Sequence, residues 1–436
     1  EMTQIEEIFI NKNATKLFDP KNMTNLKKIE FYNGKPTNFI QLDDGTIYEK
    51  YNKYLKVNEI DEEELNKNLL TKILASNSYC GLNYNEIKQM DVKDLNGNYS
   101  EDAFNIMLNK NRSRFPKDEL SQHPILRLLF VPKNLNVLKI HEDCFAISQY
   151  VIQNFDNFTS IEYAKSTTNF VFNFTGISYQ MTQKLTTIKI LGDYSYLNKN
   201  CFAHFESLKT VEFGPKTEVL LIPEYAFYGC KKLEQIIIPS SCISIEEGAF
   251  KDCKSLSLIK FGSNESQSKL KYIRKESFYN CSSLESIEIP STVLIICESA
   301  FMNCINLQKV EFKEDESELK FVSKNVFRNC TSLTSFKLPK TCIILGPLSF
   351  MNCTKLEEFE YEGENLKSIQ CRTFYNCCSL KRIKIVNLSY KSNYKKTYSK
   401  DEIKDPIDKS FFTINSEAFM NCSSLTEFII EDKSRK

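Results

Sequence analysis

Tryptophan is absent from the 436 residues, glycine and proline number only 12 each, and histidine only three. Those three, His123, His141 and His204, stand in no metal-ligand or nucleophile motif, and neither a phosphate-binding Walker loop nor a dinucleotide fingerprint occurs. The expectation is therefore a non-enzymatic chain with no catalytic residues, no cofactor and no metal. Excess charge of one sign is lacking too. Lys+Arg 57 against Asp+Glu 56 leave a net charge of +1, which removes any general attraction to nucleic acid or acidic lipid. No stretch approaches the roughly 20 apolar residues that a membrane-crossing helix requires, so no membrane insertion is expected within this chain. Glu1–Ile10 has neither the basic nor the apolar region of a signal peptide.

What is abundant is phenylalanine, 32 residues, and cysteine, 16 residues, and both recur at fixed spacing. From Ala226 the chain reads AFYGCKKLEQIIIP, then AFKDCKSLSLIKF, SFYNCSSLESIEIP, AFMNCINLQKVEF, VFRNCTSLTSFKLP, SFMNCTKLEEFEY, TFYNCCSLKRIKI and AFMNCSSLTEFII. Phe at 227, 250, 278, 301, 327, 350, 374 and 419 is followed three residues later by Cys and three after that by Leu. Self-similarity at such a period marks stacked coils, none of which can bury its apolar face alone. A weaker unit starts at Cys201, where Phe205 takes the place of Cys, and four more strand cores are read upstream, at Leu185–Ile190, Phe158–Tyr163, Ile125–Pro132 and Leu26–Phe31. The count is about thirteen coils of roughly 23–28 residues.

In each unit L-x-x-I-x-I predicts a short strand with its second and third apolar residues inward, as period-two alternation requires. Phe and Cys precede it on the return path, where each can stack on its equivalent one coil away. Once-per-coil spacing of Cys230, Cys253, Cys281, Cys304, Cys330, Cys353, Cys377 and Cys422 lacks the CxxC pairs of a zinc site and predicts a ladder of free buried thiols, with disulfides between stacked coils as the alternative. Cys242, Cys297 and Cys342 form a second series across the coil.

A longer period overlies the first. Units ending in Pro239, Pro290 and Pro339 alternate with units that lack proline and carry polar insertions, at Gly262–Leu270, Lys313–Leu319 and Glu362–Leu366. Insertions in one phase emerge on one edge, which makes Glu314, Asp315, Glu316, Glu362 and Glu364 candidate protein-binding residues. The Lys- and Tyr-rich insertion before the last unit adds Lys391, Tyr394, Lys395, Lys396 and Tyr398. Solvated loop variation is the alternative for both. Outward strand residues Lys189, Glu212, Ile237, Lys260, Glu288, Glu311, Lys337, Glu360 and Lys384 alternate in sign at most charged steps, which predicts a self-neutralising ladder.

The units resemble the BspA-like leucine-rich repeats of microbial and protist surface proteins, through A-F-x-N-C-x-S-L-x-x-I-x-I-P and the following V-x-x-I at Phe278–Pro290, Val293 and Ile296. The resemblance is strong over Cys201–Ile430 and moderate upstream, where Phe39–Leu55 resembles a hairpin found between such repeats, turning at Asp44-Gly45. It implies an α/β repeat solenoid: a leucine-rich-repeat, curved right-handed coil with short parallel strands. It also implies a scaffold for adhesion or protein binding, with a host or matrix glycoprotein as partner and a cell-surface or secreted location. An intracellular structural scaffold, cytoplasmic or cytoskeletal, and a carbohydrate-binding surface protein are the other readings.

Expected organisation is an irregular N-terminal repeat or cap region over 1–124, divergent repeats over 125–200, regular repeats over 201–388, the insertion over 389–412, and a final repeat with tail over 413–436. Asp61–Ser76 reads as a helix, with Asp61 and Glu64 at capping-box spacing. N-glycosylation sequons include Asn13, Asn98, Asn111, Asn157, Asn173, Asn264 and Asn387. Asn280, Asn329, Asn352 and Asn421 belong to the repeat, where the side chain is expected to satisfy backbone groups of the turn.

Overall fold

The computed structural model describes 135–140, 158–163, 182–191, 197, 199–215, 217–262, 267–312, 316–386 and 412–431. Of 7–11, 28–32, 39–41, 47–51, 125–131, 144–147 and 179–181 it describes chiefly the backbone. The helix expected at Asp61–Ser76 and the insertion residues 389–411 lie outside the described residues.

Twelve parallel strands, one per coil, follow each other from Val137–Ile140 to Glu427–Glu431, and hydrogen bonding divides them into sheets of six, two and four. Eight two-residue strands, Leu221–Ile222 through Thr413–Ile414, form a second, unbroken parallel ladder across the coil. Alternation inside the first-ladder strands is as the sequence demands: in Ser286–Ile289 the burial runs exposed, buried, exposed, buried, with Leu284 also enclosed. The return path is built of turns, and the one helix among the described residues is Tyr179–Lys184.

The count of thirteen becomes twelve. Two expected cores lie elsewhere: Lys28–Tyr32 pairs with Glu7–Asn11 in a separate parallel pair, and Ile125–Phe130 lies antiparallel to Ile47–Tyr51 and parallel to Cys144–Ile147. One ladder strand, Val137–Ile140, comes from a segment whose Leu135-x-x-Leu138-x-Ile140 obeys the repeat rule without a preceding Phe or Cys. Phe39–Gln41 and Ile47–Tyr51 do pair as a hairpin; the turn between them lies outside the described residues.

A spine of side chains holds the nine coils from Phe202 to Phe419 together. Their rings stack one on the next at 5.2–5.6 Å between centroids, from Phe202 on Phe227 to Phe374 on Phe419. Each thiol donates to the carbonyl of the previous coil's Phe, from Cys230 to Phe202 at 3.1 Å through Cys422 to Phe374 at 3.1 Å. The fourteen cysteines whose side chains are described are all free. Burial pushes the enclosed thiols up, Cys304 to about 12, because a thiolate there would lose its hydration.

The repeat asparagines act differently from the expectation. From Asn303 on they bond each other: Asn329 donates to Asn303 at 2.7 Å, Asn352 to Asn329 at 2.8 Å, Asn376 to Asn352 at 2.9 Å and Asn421 to Asn376 at 2.7 Å, whereas Asn280 donates to Asp252 at 2.6 Å. Every one has positive φ, 60–65°, a region that asparagine tolerates better than most residues. The left-handed backbone turns the amide along the solenoid axis and away from its own turn.

Candidate functional site

Proline decides where the first ladder opens. The residue after each strand normally closes the pairing, as Gly214 does by donating to Ile190 and Gly262 by donating to Ile238, both at 2.8 Å. At Pro239, Pro290 and Pro339 that N–H does not exist. Gln235–Ile238 keeps only two of its pairs with the preceding strand, and Ser286–Ile289 and Ser335–Leu338 keep none with theirs. Proline-free strands stay paired: Glu358–Glu362 and Arg382–Val386 match over five residues. The Phe-to-Phe steps into the two open coils are 28 and 26 residues, against 23, 23, 23, 24 and 45 for the others from Phe227 on. The first ladder is therefore interrupted before Ser286–Ile289 and before Ser335–Leu338, and thinned at a seam before Gln235–Ile238.

The third seam, between Lys309–Phe312 and Ser335–Leu338, holds a cleft of about 300 Å³. Its floor is apolar, with Val310, Leu338 and Pro339 buried and Phe312 half-buried. Phe312 meets Phe336 edge-on across the seam at 5.8 Å. Its rim carries both signs: Lys309 pairs with Glu311, Lys337 lies 3.8 Å from Glu360, and Glu362 accepts from Lys384 at 2.7 Å. Lys340 stands exposed at the mouth. Lys384 also donates to Glu360 at 2.5 Å, and these two carboxylates hold its ammonium well above the ordinary lysine range. An apolar floor with an opposed-charge rim suits a polypeptide side chain flanked by polar groups. Among the described residues no group of three or more His, Cys, Asp or Glu is arranged to hold a metal ion.

Of the candidate binding residues, Glu362 reaches the cleft rim, Glu364 is exposed two residues on, and Glu316 is exposed where the chain leaves the preceding insertion. Glu314, Asp315, Lys391, Tyr394, Lys395, Lys396 and Tyr398 lie outside the described residues. Lys309, Phe312 and Lys340 were not singled out from the sequence, and Pro339 only as a member of the proline alternation. The signal for them was the proline alternation, whose meaning is the missing donor.

The charge ladder is real at the two ends and broken between. Lys189 pairs with Glu212 at 3.2 Å, and Glu360 sits between Lys337 and Lys384. Ile237 interrupts the series, half exposed, and Glu288 lies in register with Glu311, like sign against like.

Stacked coils of one parallel strand, a Phe–Cys–Asn return and a short second strand define a leucine-rich-repeat solenoid. The description BspA type leucine rich repeat region, in six copies, matches residues 173–271, 221–321, 271–404 and 320–436, together well over half of the chain. The chain belongs to the BspA-type leucine-rich repeat family. Among solved structures it is similar to a leucine-rich repeat protein of Bacteroides ovatus at 23% identity, covering 70% of this chain and 78% of that one, with a TM-score of 0.33. It is similar also to a leucine rich cell surface protein of Faecalibacterium prausnitzii, at 17% identity, 71% and 91% coverage and a TM-score of 0.35. A leucine-rich repeat protein of Eubacterium ventriosum aligns at 15% identity, 64% and 74% coverage and a TM-score of 0.35. No curated protein matches the sequence.

Proposed function

We propose that this solenoid is a non-enzymatic recognition scaffold at the cell surface or secreted, an adhesin that binds a protein or matrix glycoprotein partner along the inserted edge of its coils. The observation that carries the reading is the third-seam cleft, where an apolar floor, a rim of both signs and the candidate Glu362 converge. A rigid repeat framework presenting variable edges is a general device for distributed recognition. Glu316 and Glu364 extend the same edge, and the insertion with Lys391, Tyr394, Lys395, Lys396 and Tyr398 is the other candidate contact.

The test is impermeant surface labelling of intact source cells, followed by recovery of bound proteins with the purified chain and with a Lys340→Glu, Glu362→Lys double variant. Labelling, together with a partner captured by the parent and released by the variant, is the expected result. A chain protected from label, or a partner held equally by both, sinks the adhesin reading. A second reading, an intracellular structural scaffold, draws on the free thiols, since reducing compartments keep cysteines unpaired; protection together with cytoskeletal partners would support it.

A further inference from the structure

The carbonyl of a spine Phe accepts twice. Phe227 takes the Cys230 amide of its own turn at 3.1 Å and the Cys253 thiol of the next coil at 3.1 Å, and Phe350 takes the Cys353 amide and the Cys377 thiol at the same distances. The thiol proton is therefore a structural donor, used once per interface from Cys230 to Cys422 at 3.1–3.3 Å. Seven of these eight cysteines have no exposed surface, and Cys422 is half-buried.

Cysteines in consecutive coils invite bridging, yet the coil spacing opposes it. The rings three residues earlier repeat at 5.2–5.6 Å from Phe227 to Phe419, whereas a disulfide needs its two Cβ atoms about 3.5–4.5 Å apart. Closing one interface to that distance would compress the ring stack in a close-packed core and turn two sulfurs away from their carbonyls. Across the coil the columns keep cysteines apart. Leu270, Val293 and Leu319 stand between Cys242 and Cys342, and Cys297 lies between Arg274 and Ser323.

We infer that the thiol ladder gates folding by redox state: the coils assemble only from the reduced chain and, once stacked, shut the ladder off from disulfide oxidants. In the unfolded chain a cysteine thiolate attacks glutathione disulfide and expels one glutathione thiolate. A second chain thiolate attacks the mixed disulfide and expels the other. Two chain thiols are thereby oxidised to one disulfide, and glutathione disulfide is reduced to two glutathione thiols. The ladder loses two donors, and coils linked out of order cannot stack. In the folded chain the attack has no approach, because the thiolate is the nucleophile and burial keeps these groups protonated, Cys304 being pushed up to about 12. The inference is independent of location, since it asks only that folding precede the oxidant.

The test treats the full 436-residue chain with excess glutathione disulfide, once native and once unfolded in urea, and maps free and linked cysteines by alkylation and mass spectrometry. Oxidation of Cys253, Cys281, Cys304 and Cys330 is expected to be at least about a hundredfold slower in the native chain, where it waits on opening, while the exposed Cys378 reacts early. On dilution from urea the oxidised chain should yield at least about tenfold less native protein than the reduced chain, and dithiothreitol should restore the yield. A Cys371→Ser, Cys378→Ser double variant, which removes two solvent-reachable cysteines outside the ladder, should behave in the same way. Ladder disulfides in a chain that keeps its native melting, or full refolding of the oxidised chain, overturns the inference. So does full refolding of the oxidised double variant, because the block would then lie outside the ladder.

Discussion

Two neighbouring coil interfaces differ most in their first-ladder pairing. Ser286–Ile289 and Lys309–Phe312 are paired over four residues, whereas Lys309–Phe312 and Ser335–Leu338 are not paired at all. Yet the Phe stack is 5.2 Å across the first and 5.6 Å across the second, and the thiol bond 3.3 Å against 3.2 Å. The second ladder also runs through both, joining Tyr272–Ile273 to Ile295–Ile296 and these to Phe321–Val322. The spine and the second ladder hold the coils, and the first ladder is free to open where proline removes a donor.

Alkali should disturb both kinds of interface together and most strongly. Burial raises the thiols in the folded chain, Cys242, Cys304 and Cys342 to about 12 and Cys422 to about 11. The unfolded thiol titrates near about 8.5. A raised folded value means that the folded state holds its proton longer, so stability is complete below about pH 8.5 and falls as pH rises toward 12. Each such thiol contributes a loss of up to about 1.4 kcal/mol per pH unit in that window. Denaturant midpoints at pH 8 and pH 10.5 should therefore differ sharply, and a flat profile would show that the thiols are not enclosed.

Removing one spine ring comes next. Phe301→Ala takes a fully buried ring from between a closed interface and an open one, and should cost about 3–5 kcal/mol in urea unfolding. Asn352→Ala should cost about 1–3 kcal/mol, since it leaves Asn329 and Asn376 without their links and puts alanine at positive φ. Asn352→Gly separates the two causes, because glycine accepts that backbone without strain. Pro339→Ala restores an N–H opposite the Phe312 carbonyl. It should stabilise by at most about 0.5–1.5 kcal/mol and narrow the cleft in a crystal structure, thereby turning the open interface toward the closed one.

The spine was legible because it is local and periodic. Phe, Cys and Leu at fixed offsets report themselves coil by coil, and the inward Ile residues follow from the alternation of Ser286–Ile289. Val137–Ile140 escaped notice because it has the strand half of the unit without the Phe and Cys that draw attention to it. Ile125–Phe130 has the right apolar spacing, but its hydrogen bonds go to Ile47–Tyr51, a long-range choice that spacing does not encode. The asparagine ladder was misread because a turn residue ordinarily serves its own turn, whereas here positive φ aims the amide at the next coil. For the cleft, Glu362 was found through its insertion. Phe312 and Lys340 were not, because a seam arises from a missing donor and not from any residue with functional chemistry of its own.

Residue-resolved hydrogen exchange on the intact chain tests the central claim most directly. Thr210, Arg382 and Glu427 begin proline-free strands and their amides donate to the coil before, to Thr186 at 3.1 Å, Glu357 at 3.1 Å and Lys381 at 3.0 Å. Ser286 and Ser335 begin the strands that Pro290 and Pro339 follow. The account predicts protected amides at the first three and fast exchange at the two serines, with the core amides of Phe301 and Phe327 protected throughout. Equal protection at all five strand starts would contradict it, because the first ladder would then be continuous and the seams would not exist.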